Sequence, residues 1–270
     1  MGVFYLSIYL KKGFEKISPM TLNRFSVALL YMIILKVTIA QTTLSKKQQT
    51  LLNDMNPTPE LTIEIWSDIA CPFCYLGKRT LEHALSNFPK GKEVNIIWRS
   101  FQLNPDLVTD TNLSTYDYLH DHKGITIEQA KQMTAGISER GRELGITYEF
   151  EKSIVSNTRK AHEAIHFAAA YGKQSEMKEA LLHAHFTAGK NVDDFGVLVE
   201  IASGLNLNTE AFLEALTTNK YAPEVEKDQQ MAQQIGVRGV PFFIFNRKYA
   251  VSGAQPIEVF QETLEKAFSE

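Results

Sequence analysis

The chain has 270 residues, of which 22% are charged and 44% are hydrophobic, and its formal net charge is −3. This length fits one large domain or two small ones, and the composition is that of an ordinary globular protein, which excludes a low-complexity chain. The mildly acidic balance gives no reason to expect nucleic-acid binding, so we predict no nucleic-acid partner.

Residues 1–59 form an N-terminal extension with a charge balance of its own. The first 50 residues carry seven Lys or Arg and one acidic residue, which leaves a charge of −9 for the rest of the chain. An apolar run over residues 27–35 is short for a membrane span and is typical of the hydrophobic region of a signal peptide. Residues 41–59, which are rich in polar residues and proline, predict an unstructured lead-in.

Two features of this extension argue against export. Lys36 lies inside the apolar stretch, and more than twenty residues precede the run. A start at Met20 would be more typical of a signal peptide, whereas a start at Met55 would remove the run altogether. We expect a cytoplasmic protein; the alternatives are an exported one, if residues 20–40 act as a signal peptide, and a membrane-attached one, if residues 25–40 are a retained anchor.

Residues 60–104 predict the first part of an α/β domain. Residues 61–67 alternate apolar and polar side chains, as a strand does, and residues 94–98 are rich in β-branched and aromatic side chains. Between them, residues 75–88 place apolar side chains at helical spacing and end at Pro89. A strand, a helix and a second strand of these lengths predict a βαβ unit.

The only two cysteines of the chain, Cys71 and Cys74, lie between the first strand and the helix. Two intervening residues let both sulfurs meet within one helical turn, a geometry for thiol–disulfide exchange. The helix N-terminus favours a Cys71 thiolate, and burial one turn further on favours a protonated Cys74 that resolves a mixed disulfide. Half of a zinc site and an inert structural disulfide are the alternatives.

Residues 105–222 change to helical patterns and predict an all-helical insertion domain. Thr126 and Gln129 form a capping box at the start of the first helix, and glycines follow the ends of four helices. The predicted helices cover residues 126–145, 158–171, 175–188, 194–203 and 209–216.

Residues 223–270 return to α/β character. Pro223 fits the first turn of a helix. Two short apolar runs, residues 242–245 and 249–251, flank a turn and predict a hairpin, after which residues 256–268 predict a terminal helix. Together with residues 60–104, this stretch predicts one α/β domain that the helical insertion interrupts.

The order of these elements around the Cys-Pro-Phe-Cys sequence resembles the thioredoxin fold, and the helical insertion narrows the resemblance to DsbA-like proteins. Five segments resemble the FrnE-type subfamily of DsbA-like dithiol–disulfide oxidoreductases: residues 65–78, 101–105, 186–191, 236–243 and 249–255. The resemblance covers roughly residues 61–268. It implies a central mixed β-sheet flanked by helices and a redox-active disulfide.

The resemblance also implies residues of the site. The Val240–Pro241 bond is expected to be cis, to face Cys71 and to position the substrate backbone, with an ordinary trans proline as the alternative. Pro72 and Phe73 stand where periplasmic DsbA proteins typically have Pro-His, so we expect a less depressed Cys71 pKa and a less oxidising disulfide. A related branch, the glutathione-dependent hydroxychromene carboxylate isomerases, has Ser at the position of Cys71, which argues against isomerase activity.

Three further residues near the cysteines allow two interpretations each. Asp68 is expected either to cap the helix or to tune Cys74 and shuttle a proton to it. Trp66 and Phe73 are expected either to form an apolar rim beside Cys71 or to belong to the core.

The sequence also contains a rival motif. His162 and His166 match the H-E-x-x-H pattern, which places two imidazoles on one helix face with Glu163 as the general base of a zinc hydrolase. A third ligand would have to come from Glu176 or Glu179 on the following helix.

The other paired histidines predict no site. His183 and His185 are two positions apart on a predicted helix, so they face different sides of it. This spacing favours packing or solvent exposure, and the pair His120 and His122 has the same spacing.

We therefore predict a thiol–disulfide oxidoreductase in which Cys71 forms the mixed disulfide and Cys74 resolves it. No metal and no cofactor are required. The expected partners are protein or small-molecule thiols and disulfides, with glutathione or a thioredoxin-type protein as electron partner. The alternatives are the zinc hydrolase, a redox-inactive binding or chaperone module of the same fold, and the isomerase of the related branch.

Overall fold

The computed structural model describes residues 61–88 and 94–269. In chain order, the elements within these residues are β1 (Leu61–Ser67), α1 (Pro72–Ser86), β2 (Val94–Ser100), α2 (Thr115–Lys123), α3 (Ile127–Glu143), α4 (Arg159–Ala169), α5 (Gln174–Phe186), α6 (Phe195–Gly204), α7 (Thr209–Thr217), α8 (Ala222–Gln234), β3 (Phe242–Phe245), β4 (Tyr249–Ser252) and α9 (Ile257–Ser269). The predictions for residues 1–59 lie outside the described residues and stay predictions. No helix of the described ranges is long and apolar enough to cross a membrane.

The four strands form one mixed sheet in the order β2-β1-β3-β4, which confirms the predicted central sheet. β1 pairs in parallel with β2, so that Ile65 lies opposite Trp98. β3 pairs antiparallel with β4, which confirms the predicted hairpin. On its other edge, β3 pairs antiparallel with β1. The turn between β3 and β4 has positive φ at Asn246 (48°) and Arg247 (55°), the left-handed region that tight hairpin turns use.

Helices cover both faces of this sheet, so the side chains on both faces of β1 are buried. Ile63 and Ile65 lie on one face, where they share the main core with Phe260 of α9. Trp66 lies on the other face and packs with Ala232 of α8. Alternate side chains of a strand point to opposite faces, so the central strand holds the two layers of helices together.

Glu64 is the acidic residue in the middle of β1, and it is buried. Its carboxylate binds Arg99 of β2 at 2.6 Å and Arg247 of the hairpin turn at 2.8 Å. Burial raises the pKa of Glu64, but its hydrogen bonds with Arg247 and Arg99 lower that pKa below the ordinary value on balance. A buried charge is tolerated when it is paired in this way. The two arginines therefore explain how β1 can contain a glutamate and still lie inside the sheet.

Helices α2 to α7 lie within the predicted insertion over residues 105–222, and α5 also contacts β2. The capping box of Thr126 and Gln129 is confirmed. The sequence analysis did not single out α2, a short helix that buries none of its residues, although Ser114 caps it. The boundaries of the insertion stay a prediction.

One glycine is not the residue that follows a helix, as was expected. Gly204 was expected to follow the helix that begins near Asp194, but it is the last residue of α6. The left-handed residue after α6 is Asn206, with φ of 57°. Asparagine adopts this conformation more readily than other side-chain-bearing residues, so it replaces the expected glycine.

Candidate functional site

Cys71 and Cys74 lie where β1 ends and α1 begins. Cys71 is the N-cap residue of α1, and Pro72 is the first residue of the helix, a position where its missing N–H is no loss. The Cys74 N–H donates to the Cys71 carbonyl oxygen at 3.0 Å, and the two cysteines are 3.6 Å apart. Both are free thiols. The prediction that one turn brings the two cysteines together is confirmed.

A cavity of about 470 Å³ borders this pair. Cys71 is 5% exposed and lines the cavity, whereas Cys74 is 1% exposed and does not line it. Most of the wall is apolar. It includes Phe73 and Leu103 from the α/β domain and Met133, Ile137 and Phe150 from the predicted insertion. A molecule in the cavity therefore meets Cys71 first and reaches Cys74 only through it.

Val240 and Pro241 lie beside Cys71. The bond between them is cis, as the resemblance implied. The Val240 carbonyl oxygen lies 3.5 Å from the Cys71 sulfur. Pro241 packs closely on α1, because a Cβ atom on Gly77 would lie 2.9 Å from the Pro241 Cγ. The role of these two residues in positioning a substrate stays a prediction.

The pKa values of the two thiols shift in opposite directions. The hydrogen bond with Cys74 and burial raise the pKa of Cys71 well above its ordinary value. Burial also raises the pKa of Cys74, but the hydrogen bond from Cys71, the charge of Lys178 and the hydroxyl of Ser67 lower that pKa on balance. The expected Cys71 thiolate and protonated Cys74 stay a prediction.

Lys178 of α5 is the site residue that the sequence analysis missed. It is 1% exposed, and its ammonium group donates to the Ser67 carbonyl oxygen at 3.2 Å. The same group lies 5.6 Å from the centre of the Trp98 ring. Burial lowers the pKa of Lys178 to about 8, although the charges of Cys74 and Asp68 raise it. No local signal marks this lysine, since most lysines of helices are solvent-exposed.

Asp68 is buried between the cysteines and the insertion, and it does not cap α1. Its carboxylate accepts from the N–H groups of Ile69 at 2.7 Å and Leu103 at 2.8 Å, and it lies 3.2 Å from His162 Nε2. Burial raises the pKa of Asp68, but His162 and Leu103 lower it on balance. The capping interpretation is wrong, because these groups hold the carboxylate away from the helix end. The tuning of Cys74 stays a prediction for Asp68.

Phe73, which lies between the two cysteines, and Trp66, which precedes them, have different surroundings. Phe73 is 38% exposed and lines the cavity, in agreement with an apolar rim. Trp66 is a core residue whose indole N–H donates to the Asp228 carbonyl oxygen at 3.0 Å, and it does not line the cavity. The Tyr148 hydroxyl donates to the Pro72 carbonyl oxygen at 2.7 Å, which ties the predicted insertion to the Cys-Pro-Phe-Cys segment.

The zinc hypothesis is wrong, because its two imidazoles have separate partners. His162 faces Asp68, whereas His166 lies 3.0 Å from the Ser100 hydroxyl and 3.2 Å from the Asp228 carboxylate. In the described part of the chain, no group of three or more His, Cys, Asp or Glu side chains is placed to hold a metal ion.

The glutamates of that hypothesis also have other partners. Glu163 binds Lys160 at 2.9 Å. Glu179 binds Lys78 at 2.6 Å and accepts from the Tyr75 hydroxyl at 2.7 Å. Both carboxylates therefore belong to ion pairs, Glu163 to one within α4 and Glu179 to one between α5 and α1.

His183 and His185 face different sides of α5, as predicted. His183 is exposed, whereas His185 is 5% exposed and lines the cavity. Burial lowers the pKa of His185 to about 4, so its ring is neutral at pH 7. No role was predicted for this residue, yet its side chain belongs to the cavity wall.

Comparisons with known proteins agree with this geometry. A family model described as the DSBA-like thioredoxin domain matches residues 62–265. The crystal structure of the probable DsbA oxidoreductase SCO1869 from Streptomyces coelicolor is 35% identical, with a TM-score of 0.72. That likeness covers 78% of this chain and 91% of the other chain. The predicted DsbA-like thioredoxin fold is confirmed, while the FrnE-type subfamily stays a prediction.

Two other proteins extend the comparison. The uncharacterized protein YwbO of Bacillus subtilis (strain 168) is 28% identical over 204 residues, which is 75% of this chain and 94% of YwbO. The cytosolic disulfide reductase DsbM from Pseudomonas aeruginosa, solved with GSH, is 16% identical with a TM-score of 0.56, over 77% of this chain and 100% of that chain. At that identity, the likeness to DsbM shows the fold alone.

Proposed function

The chain belongs to the DSBA-like thioredoxin domain family, and from this premise we propose that it is a thiol–disulfide oxidoreductase that works through Cys71 and Cys74. One observation carries the proposal. Two free thiols lie 3.6 Å apart at the start of a helix, and Cys71 lines a cavity that Cys74 does not reach. Because only Cys71 borders the cavity, the proposal gives substrate attack to Cys71 and resolution to Cys74.

In the reducing direction, the Cys71 thiol first gives its proton to solvent and becomes a thiolate, while Cys74 keeps its proton. The Cys71 thiolate attacks one sulfur of a substrate disulfide, and the other substrate sulfur leaves as a thiolate. This leaving thiolate takes the proton from Cys74, which then attacks Cys71 and releases the second substrate thiolate. The substrate gains two electrons and the protein closes its disulfide.

The same steps in reverse let the protein disulfide oxidise a pair of substrate thiols. A substrate thiolate attacks Cys71, Cys74 leaves, and a second substrate thiol resolves the mixed disulfide. The direction in the cell then depends on the reduction potentials of the protein disulfide and of its partners.

The small exposed fraction of Cys71 limits the substrates. A small-molecule disulfide, or an extended protein segment with a cysteine, fits a cavity of about 470 Å³, and a rigid folded surface does not. Phe73 and Leu103 give the cavity an apolar edge. Glutathione is the electron partner that we favour, since the similarly folded reductase was solved with GSH; a thioredoxin-type protein is the alternative.

Substitution of each cysteine tests the proposal. We expect Cys71→Ser to lower turnover of insulin disulfides and of glutathione disulfide to the uncatalysed level, because the sulfur that lines the cavity is gone. We expect Cys74→Ser to accumulate mixed disulfides on Cys71, which intact-protein mass spectrometry detects, because no second sulfur displaces the substrate.

The double variant without either cysteine serves as the control, since it should neither turn over substrate nor form adducts. Circular dichroism confirms that each variant is folded. Full turnover by folded Cys71→Ser would contradict the proposal, because disulfide exchange would then not require the sulfur that lines the cavity.

A further inference from the structure

Residues 101–109, which follow β2, form part of the cavity wall beside Cys71, and we call this segment the wall loop. It contains no helix or strand. Leu103, Asn104 and Leu107 of the wall loop line the cavity, although Leu103 is 53% exposed and Gln102 is the only buried residue of the loop. A segment that buries so little apolar surface depends on polar contacts to keep one conformation.

Asn157, which lies just before α4, supplies contacts to four residues of the wall loop. Its side-chain amide donates to the carbonyl oxygens of Pro105 at 3.1 Å and Leu107 at 2.7 Å. The amide oxygen accepts from Gln102 Nε2 at 3.2 Å, and the backbone N–H donates to the Thr109 hydroxyl at 2.9 Å. One residue therefore fastens the loop near both of its ends and in its second half.

The side-chain amide of Asn157 uses its full hydrogen-bonding capacity. Its oxygen also accepts from the Arg159 N–H at 2.8 Å, so two accepted and two donated bonds are made. The orientation of the amide is fixed, because an N–H group can only donate and a carbonyl oxygen can only accept. Asn157 does not itself line the cavity, so it acts on a bound molecule only through the wall loop.

We propose that Asn157 is a positioning residue of the active site, which strengthens substrate binding by holding Leu103 and Leu107 in the cavity wall. The inference rests on the proposed function. Apolar surface contributes to binding in proportion to the area that it removes from water. A wall that is ordered before the substrate arrives also spares the cost of ordering it on binding.

Two other side chains hold the wall loop, but they act at its start. The Asp68 carboxylate accepts from the Leu103 N–H at 2.8 Å, and the Gln229 side chain accepts from the Gln102 N–H at 3.3 Å. Loss of the Asn157 amide therefore releases the second half of the loop, while the half beside the dithiol stays attached. The change should act on substrate binding and not on the redox chemistry of the two sulfurs.

Asn157→Asp tests the inference, because it keeps the accepting oxygen and turns a second oxygen toward the Pro105 and Leu107 carbonyls. We expect KM for glutathione disulfide to rise about fivefold, with kcat and the reduction potential of the dithiol unchanged. Asn157→Ala removes the donors without adding a charge and should show the same rise. Asn112→Asp is the matched control; it adds the same charge at an exposed position outside the cavity wall and should change none of these quantities.

A second measurement requires no turnover. In the Cys74→Ser background Cys71 is the only thiol of the chain, so its alkylation reports on the cavity alone. The rate with N-phenylmaleimide is divided by the rate with N-methylmaleimide, a ratio in which the thiolate fraction cancels. We expect the Asn157 variants to lower this ratio about fivefold, because the phenyl group loses part of its apolar contact.

Near-ultraviolet circular dichroism identifies the folded variants. A folded Asn157 variant that kept the wild-type KM or the wild-type alkylation ratio would overturn the inference. A changed reduction potential would also overturn it, because Asn157 would then act on the dithiol and not on the wall. Since the alkylation ratio is measured without turnover, these outcomes are distinct from turnover by Cys71→Ser, which would overturn the proposed function.

Discussion

His185 illustrates at the scale of one residue how burial controls ionisation in this site. The imidazole belongs to the cavity wall, and its Nδ1 atom has no hydrogen-bond partner among the described residues. Burial lowers the pKa of His185 from the ordinary 6.5 to about 4. A charged ring at this position would lose its hydration, and the attraction of the Asp68 carboxylate does not offset that loss.

We expect His185→Gln to make the protein less sensitive to acid. Between the unfolded pKa of 6.5 and the folded value of about 4, the unfolded chain binds a proton that the folded chain does not. The native state therefore loses stability as the pH falls through this window, by a total of roughly 3 kcal/mol. Urea unfolding at about pH 7 and about pH 4.5 measures the loss, which should be smaller in the variant.

His183→Gln is the matched control for this prediction, since His183 lies on the same helix and is exposed. It should keep the acid dependence of the wild type. If His185→Gln and His183→Gln lost the same free energy of unfolding on acidification, burial of His185 would not be the cause.

At the scale of the element, α1 approaches the sheet through a residue that has no side chain. A Cβ atom on Gly77 would lie 2.9 Å from Pro241 Cγ and 3.0 Å from Phe243 Cζ. Pro241 and Phe243 are both buried, so neither has free space into which it could move. This contact sets the distance between the start of α1, which carries Cys71, and the segment that carries Val240.

We expect Gly77→Ala to destabilise the protein by about 1–3 kcal/mol, because the added methyl group overpacks the contact between α1 and β3. The loss should occur although alanine has the higher helix propensity. Turnover should also fall, since the shift of α1 moves Cys71 relative to Val240. Urea unfolding and the glutathione-disulfide assay measure the two effects.

Gly136→Ala in α3 is the control, because a Cβ atom on Gly136 meets no atom within 4 Å. It should stabilise the protein by up to about 1 kcal/mol through helix propensity alone. A stabilising Gly77→Ala substitution would contradict the close packing of α1 on Pro241.

At the scale of the whole molecule, an ion-pair cluster joins α1 to α5. Glu179 binds Lys78 at 2.6 Å, accepts from the Tyr75 hydroxyl at 2.7 Å and also pairs with Arg79. Lys78 is buried, and the Glu179 carboxylate gives this side chain an ion-pair partner. The cluster therefore ties α1, which carries Cys74, to α5, which carries Lys178.

We expect Glu179→Gln to lower the free energy of unfolding by about 2 kcal/mol, because it leaves the buried Lys78 with one carboxylate partner. The effect should be smaller than for a buried ion pair that loses its only partner, since Glu82 still binds Lys78 at 2.5 Å. Urea unfolding at neutral pH measures the change.

Glu176→Gln is the matched control on the same helix. Its ion pair with Lys173 is exposed at both ends, so its loss should change the free energy of unfolding by about 0.5 kcal/mol or less. Equal effects of Glu179→Gln and Glu176→Gln would show that the cluster between α1 and α5 does not stabilise the molecule.

The parts of the fold that the sequence predicted correctly have local signals. The capping box at Thr126 and the spacing of Cys71 and Cys74 involve residues within one helical turn, and each is present in the structure. Helix α2 has no such apolar signal because it buries none of its residues. Gly204 was misplaced because helix ends depend on a few weak preferences rather than on one residue.

By itself, the sequence of this chain determined the order of strands and helices and the closeness of the two thiols, because periodicity, caps and a two-residue spacing act over a few positions. Only the tertiary structure decided which charges surround those thiols. Lys178 meets Ser67 across 111 positions of the chain, and Trp66 and Phe73 fall on different sides of the site. Such contacts depend on how whole elements pack, and the low dielectric of the packed interior then shifts the pKa values of the groups that they bring together.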